Sequence, residues 1–196
     1  MAVDRERVSE LVRELLVAIG EDPERPGLKL TPQRVADAYA EFFSGVGEDA
    51  AAPLAHTISV TRGPAPDTLP SGAVMLRDIR FRSVCEHHLL PFAGHAHVAY
   101  LPGEQVVGLG ALPKVIDILA ARPQVQERLG EQIADAIAGS IDTRGVLVVL
   151  DAVHECVTMR GGRQPSASTV TVAARGRFTE PAERAEAIAL LTGGRT

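Results

Sequence analysis

The chain has 196 residues, of which 45% are apolar and 23% charged, with a formal net charge of −5. That is the composition of a globular protein with one sizeable core, and the lack of a Lys- or Arg-rich block argues against nucleic-acid binding. No stretch approaches the roughly 18 apolar residues of a membrane helix, and Met1–Arg7 lacks the apolar run of a signal peptide, so a cytoplasmic location with no membrane partner is expected. There the two cysteines are expected to be metal-bound or free rather than disulfide-bonded.

The spacing of Val8, Leu11, Val12, Leu15, Leu16 and Ile19 predicts a helix over 4–19, with Gly20 as its stop. A Pro-punctuated loop over 21–27 follows. Thr31 reads as the N-cap of a second helix, with Pro32 at its first position and Val35, Ala38, Tyr39, Phe42 and Phe43 on one side. Residues 46–72 are rich in Ala, Pro and Gly and read as a connecting segment, with a short extended piece at 56–60. From Val74 the apolar period changes towards alternation, which predicts a strand over 74–83 leading into Cys85. Gly94–Tyr100 is a second predicted strand. Helices are predicted over 112–121 and 124–140, from Leu112, Val115, Ile116 and Leu119 and from Val125, Leu129, Ile133 and Ile137. The β-branched run from Val146 predicts a strand continuing to His154 and Cys156. A last strand over 168–174 and a short helix over 180–191 complete the chain.

The predicted organisation is an N-terminal helical arm (1–45), a connecting segment (46–72) and a catalytic domain (73–196) built on a ββααββ unit. The class is α+β, with two antiparallel hairpins and a helix pair on one face. The exposed edges of so small a sheet point to closure through neighbouring subunits.

The chemistry concentrates in two short clusters. Cys85-Glu86-His87-His88 offers a thiol, a carboxylate and two imidazoles, and the other cysteine, Cys156, stands two residues after His154. Zinc takes Cys and His readily. Cys85-x-x-His88 is a chelating spacing, and a strand carrying His154-x-Cys156 would turn both side chains to one face. Five candidate ligands are one or two more than zinc needs. Three plus water make a catalytic site and four a closed structural one, a choice that spacing alone leaves open. His56, His95 and His97 have no such partners and read as surface or strand-face residues.

The longer motifs carry a resemblance. Cys85-Glu-His-His-Leu-Leu-Pro-Phe92, Tyr100-Leu-Pro102, Arg122-Pro-Gln-Val-Gln-Glu-Arg-Leu129 and His154-x-Cys156-x-x-x-Arg160-Gly161 are similar to GTP cyclohydrolase I. Gly20-Glu-Asp-Pro-x-Arg-Pro-Gly27 and Thr31-Pro-x-Arg34-Val-Ala-x-x-Tyr39 match as well, so the resemblance spans almost the whole chain. It implies the tunnelling fold, in which sheets of neighbouring subunits join into a barrel, and a homodecamer of two stacked pentamers with active sites at subunit interfaces. It implies zinc on Cys85, His88 and Cys156, with one position left for the water that adds to C8 of the guanine. His154 would protonate the purine N7 and His87 would assist near the ribose ring oxygen. Gln126 and Glu127 would bind the substrate, Glu127 by accepting from N1 and the 2-amino group of guanine. Arg34, Lys114 and Arg160 would face the triphosphate, with Arg163 near them. The implied product is 7,8-dihydroneopterin triphosphate, with release of formate.

The chain also departs from the family pattern. Where the family reads Gly-Leu-Ser-Lys, with Arg three residues beyond the Lys, this chain has Gly110, Ala111 and Lys114 at the Ser, Lys and Arg positions. Asp37 replaces a Lys of some members, Val172 a usual Ser, and Ala167 another hydroxyl. A charge-assisted bond to phosphate is worth about 1.5–3 kcal/mol, so losing one or two weakens binding roughly ten- to a thousandfold. Three readings follow: GTP held by the remaining basic residues, a related purine nucleotide or nucleoside with fewer phosphates, or a non-catalytic nucleotide-binding relative.

Overall fold

A computed structural model describes residues 3–60, 72–160 and 164–193. Its contacts divide the chain into two compact units, Met1–Glu48 and Asp49–Thr196.

The first unit is a helix pair, α1 (Arg5–Ala18) and α2 (Thr31–Phe42). Asp4 caps α1 by accepting from the Arg7 N–H at 2.9 Å, which satisfies one of the free donors of the first turn. The chain leaves α1 through Gly20 at φ +87°, a left-handed conformation that suits glycine. Leu16 of α1 and Ala36 of α2 are buried. Thr31 is not the N-cap. It lies inside α2, the cap position is Leu30, and no side chain caps the helix. Pro32 follows within the first turn and supplies the preset φ that starts the helix there.

The second unit is built on a five-stranded sheet of order β5-β2-β3-β6-β7. Its strands are β2 (Val74–Cys85), β3 (Pro91–Pro102), β5 (Pro123–Gln124), β6 (Thr143–His154) and β7 (Thr169–Gly176). β2, β3, β6 and β7 are antiparallel neighbours, while the two-residue β5 runs parallel to the end of β2. A separate ribbon pairs β1 (Thr57–Ser59) with β4 (Gln105–Val107). The central strands run further than the apolar alternation suggests: their added ends are paired backbone to backbone, and Val84, Cys85, Phe92 and Leu101 within them are buried.

Helices α3 (Ala111–Ala120) and α4 (Gln126–Ser140) cover one face of this sheet. Their apolar stripes, including Leu112, Ile116, Leu129, Ile133 and Ile137, form one core with Phe81, Phe92, Val98, Tyr100, Val148 and Leu150. The opposite face is covered by Phe178 and by Ala187 and Leu191 of α6 (Pro181–Thr192), packed on Ala99, Leu101, Leu147 and Val149. Alternate residues of β3 and β6 therefore serve two cores, as the two-residue side-chain period requires. His95 and His97 fall on the α6 side. His97 Nδ1 accepts from the Asp78 N–H at 3.2 Å, at a bulge where Asp78 takes φ +59°.

Gly94 allows β3 and β6 to meet closely. A Cβ there would lie 1.9 Å from the Asp151 carbonyl oxygen and 2.6 Å from the Ala152 Cα, both backbone atoms. Gly94→Ala must push the strands apart, and a lowered denaturation midpoint corresponding to about 1–3 kcal/mol or more is expected.

Candidate functional site

The site grows from the connection between β2 and β3. β2 ends at Cys85, and the chain folds back within five residues. The Cys85 N–H donates to the Leu90 carbonyl at 2.8 Å, and the Leu89 N–H donates to the Cys85 carbonyl at 2.8 Å. Leu89 sits at φ +52°, a left-handed conformation costing a non-glycine residue about 1–2 kcal/mol. The reversal brings His88 back over Cys85, with Nδ1 3.8 Å from Sγ.

The third member arrives from the end of β6. The strand stops at His154, and Glu155–Thr158 forms a single helical turn, α5. Cys156 is therefore not on a strand face with His154; it projects from this turn. The ligand atoms of Cys85, His88 and Cys156 lie within 4.8 Å of one another, and among the described residues no fourth His, Cys, Asp or Glu joins them. A tetrahedral zinc with bonds near 2.0–2.3 Å needs its ligand atoms about 3.3–3.8 Å apart, so side-chain adjustments of about 1 Å complete the centre. Burial and the neighbouring Cys85 push the Cys156 thiol up, against a weaker opposing pull from Arg160. Two thiolates this close repel each other, and a divalent cation between them removes that penalty. The donor set and its spacing fit a zinc ion with one open position.

The same cavity, about 190 Å³, is lined by Cys85, Cys156, His87, Gln126, Glu127 and His154. Gln126 and Glu127 open α4, directly after β5. The parallel pairing of β5 with β2, including the Glu86 N–H donating to the Gln124 carbonyl at 3.0 Å, sets this helix start beside the Cys85 turn. Glu86 adds an ion pair with Arg128, which holds its carboxyl below the ordinary glutamate range. Arg128 also donates to the Gln124 Oε1 at 3.3 Å, and the buried Gln124 donates to the Leu119 carbonyl and to Gln132 Oε1, both at 2.9 Å. Glu86 thus braces the metal-ligand turn against α4.

His154 stacks on Phe92, with ring centroids 4.5 Å apart and planes 8° from parallel. Its Nε2 lies 2.8 Å from Gln126 Oε1. Burial pushes its pKa down, and Glu127 pulls the other way. His87 is exposed, its Nε2 3.9 Å from the Glu86 carboxylate.

The remaining sequence candidates are placed differently. Lys114 and Arg160 are exposed, and neither is among the described residues lining the cavity. Arg34 lies in the first unit and is exposed. Gly161 and Arg163 lie outside the described residues. Sequence reasoning did not single out Phe92, Thr169, Val157 or the Glu86–Arg128 brace. Phe92, Glu86 and Arg128 left a trace, as members of the quoted motifs.

The fold and the site have the make-up of a metal-assisted enzyme: a soft three-ligand cluster opening on a cavity that holds two imidazoles and a carboxylate. The sequence model of GTP cyclohydrolase I matches residues 8–192, and the chain belongs to that family. A protein named GTP cyclohydrolase 1 from Leifsonia xyli subsp. xyli is 63% identical over 191 residues, covering 97% of each chain. Its namesake from Clostridioides difficile is 49% identical over 192 residues, again covering 97% of each. Among solved structures, the apo form of the archaeosine synthase QueF-Like aligns with 54% of this chain and 94% of its own, at 19% identity and a TM-score of 0.45. So loose an overlap bears on neither assembly nor activity.

Proposed function

We propose that this protein is a zinc-dependent GTP cyclohydrolase I, which opens the guanine imidazole ring of GTP at C8, releases that carbon as formate and closes the rearranged product to 7,8-dihydroneopterin triphosphate. The observation that carries this reading is the Cys85–His88–Cys156 cluster, whose two cysteines line one cavity with Glu127 and His154. Cys85, His88 and Cys156 would hold zinc, which would supply the Lewis acidity that lowers the pKa of a water towards about 7. The chain's own residues do the rest. Glu127, at the exposed start of α4, accepts from N1–H and the 2-amino group and so selects guanine over adenine. His154, held flat against Phe92, exchanges protons with the imidazole ring of the purine. His87, on the exposed side of the metal turn, serves the ribose.

GTP is favoured over a shortened substrate because the relatives at 63% and 49% identity both carry that name. The phosphate end is nevertheless thinned at Gly110 and Ala111, which begin α3. A Cβ at Gly110 meets nothing within 4 Å, so a serine would fit there. In this reading Lys114, Arg34 and Arg160 hold the triphosphate, and a homodecamer brings them to the site. The outer edge of β2 before Val84 and the outer edge of β7 have no neighbouring strand among the described residues, which supports sheet-to-sheet association. Thiols that must stay reduced to bind metal support a cytoplasmic setting. The test is a side-by-side assay of GTP, GDP, GMP and guanosine, following formate and pterin absorbance. GTP should give the highest kcat/KM by at least about tenfold, the value of one phosphate contact. Equal turnover of GMP would refute the triphosphate assignment.

A further inference from the structure

Gln126 stands in the cavity wall, yet its side chain is committed to the protein. The residue is 1% exposed. Its Nε2 lies 3.1 Å from the Leu150 carbonyl oxygen, 2.8 Å from the Thr169 carbonyl oxygen and 3.2 Å from Thr171 Oγ1. Two of these partners are backbone carbonyls, which only accept, so the amide nitrogen must be the end that faces them. The amide oxygen is then the end that meets His154 Nε2 at 2.8 Å. An amide oxygen also only accepts. The proton of a neutral His154 ring is therefore on Nε2, and the lone pair is on Nδ1, which has no hydrogen-bond partner among the described residues. Phe92, stacked on the ring, removes the other freedom by blocking a tilt about this bond.

We infer that Gln126 is a positioning residue: anchored to β6 and β7 by its amide nitrogen, it holds His154 Nε2–H with its carbonyl and presents Nδ1 as the nitrogen that meets the substrate. This differs from a side-chain contact between Gln126 and the guanine, because both ends of the amide are already engaged within the chain. The consequence for catalysis rests on the proposed function; the tautomer does not. A residue that sets which nitrogen carries the proton acts on the proton-transfer step, and its loss is felt in kcat rather than in KM.

The experiment uses the full-length, zinc-loaded protein with ring-15N histidine. Long-range proton–nitrogen NMR correlations are assigned to His154 by their disappearance in His154→Asn. The wild-type protein should show a protonated Nε2 and an unprotonated Nδ1. In Gln126→Met, of similar length but without the amide, that pattern should give way to a mixture of tautomers, kcat for formate release should fall about 10–100-fold, and KM for GTP should stay within about twofold. Thr171→Val, which removes only one acceptor of the Gln126 amide, should keep the wild-type tautomer and most of kcat. A wild-type ring protonated on Nδ1 overturns the inference whether or not any variant folds. So does a Gln126→Met enzyme with unchanged kcat and raised KM, the signature of a direct substrate contact. If no guanine compound is turned over at all, the proposed function fails, and the NMR result still decides the role of Gln126.

Discussion

Cys156→Ser and Cys85→Ser are each expected to take bound zinc from the proposed one ion per chain to a small fraction of that, and formate release from GTP should fall by about a thousandfold or more. The magnitude follows from removing several kcal/mol of metal assistance, at 1.36 kcal/mol per decade of rate. The physical reason lies in the three-membered cluster: with one thiolate gone, two protein ligands remain, and no fourth residue among those described stands ready to substitute. Cys156 is the sharper probe. It sits on the short α5 turn and is only partly buried, whereas Cys85 is in the main core. A Ser at 156 therefore perturbs the metal more than the fold. Metal analysis of the purified variants checks the assignment, and full zinc occupancy in Cys156→Ser would refute it. Chelation of the wild-type protein should reproduce the loss, and added zinc should reverse it.

The second large effect is expected at Glu127. In Glu127→Ala, kcat/KM for GTP should drop by about 10²–10⁴, the equivalent of two charge-assisted hydrogen bonds at about 1.5–3 kcal/mol each. More telling is discrimination between GTP and ITP, which lacks the 2-amino group. The wild-type enzyme should prefer GTP strongly, because a site built to accept that group leaves a carboxylate lone pair unpaired with ITP. The variant should prefer it hardly at all. Zinc content should be unchanged, since Glu127 is not a member of the ligand cluster. A GTP/ITP ratio that survives the substitution would remove Glu127 from substrate selection.

These two predictions depend on different layers of the structure. The three-residue cluster joins a six-residue turn to a four-residue helix, brought together by the pairing of β3 with β6. The placement of Glu127 depends on β5, only two residues long, which no periodicity argument could have detected. Its parallel pairing with β2 locks the start of α4 to the metal turn, and the Glu86–Arg128 ion pair adds a brace that is partly exposed and so worth little by itself. Glu86 is not a member of the three-residue cluster, though it stands between Cys85 and His87, both of which line the cavity.

The chain's own order of residues determined a good deal. Apolar spacing placed α1, α3 and α4 to within two residues, because a helix buried along one stripe must repeat its apolar residues every three to four positions. Alternation and β-branching marked β2, β3 and β6, and the two cysteines with their adjacent histidines marked the cluster that could hold a metal. Tertiary structure decided the rest. It placed Cys156 on a helical turn rather than a strand face, and left His87 and His154 out of the three-ligand cluster. It set α6 on the second face of the sheet, and it spent the side chain of Gln126 on the ring of His154. The reason is the same in each case. Periodicity reports which face of an element is buried, whereas the partner buried against it is chosen by contacts between residues far apart in the chain, and those leave no local pattern to read.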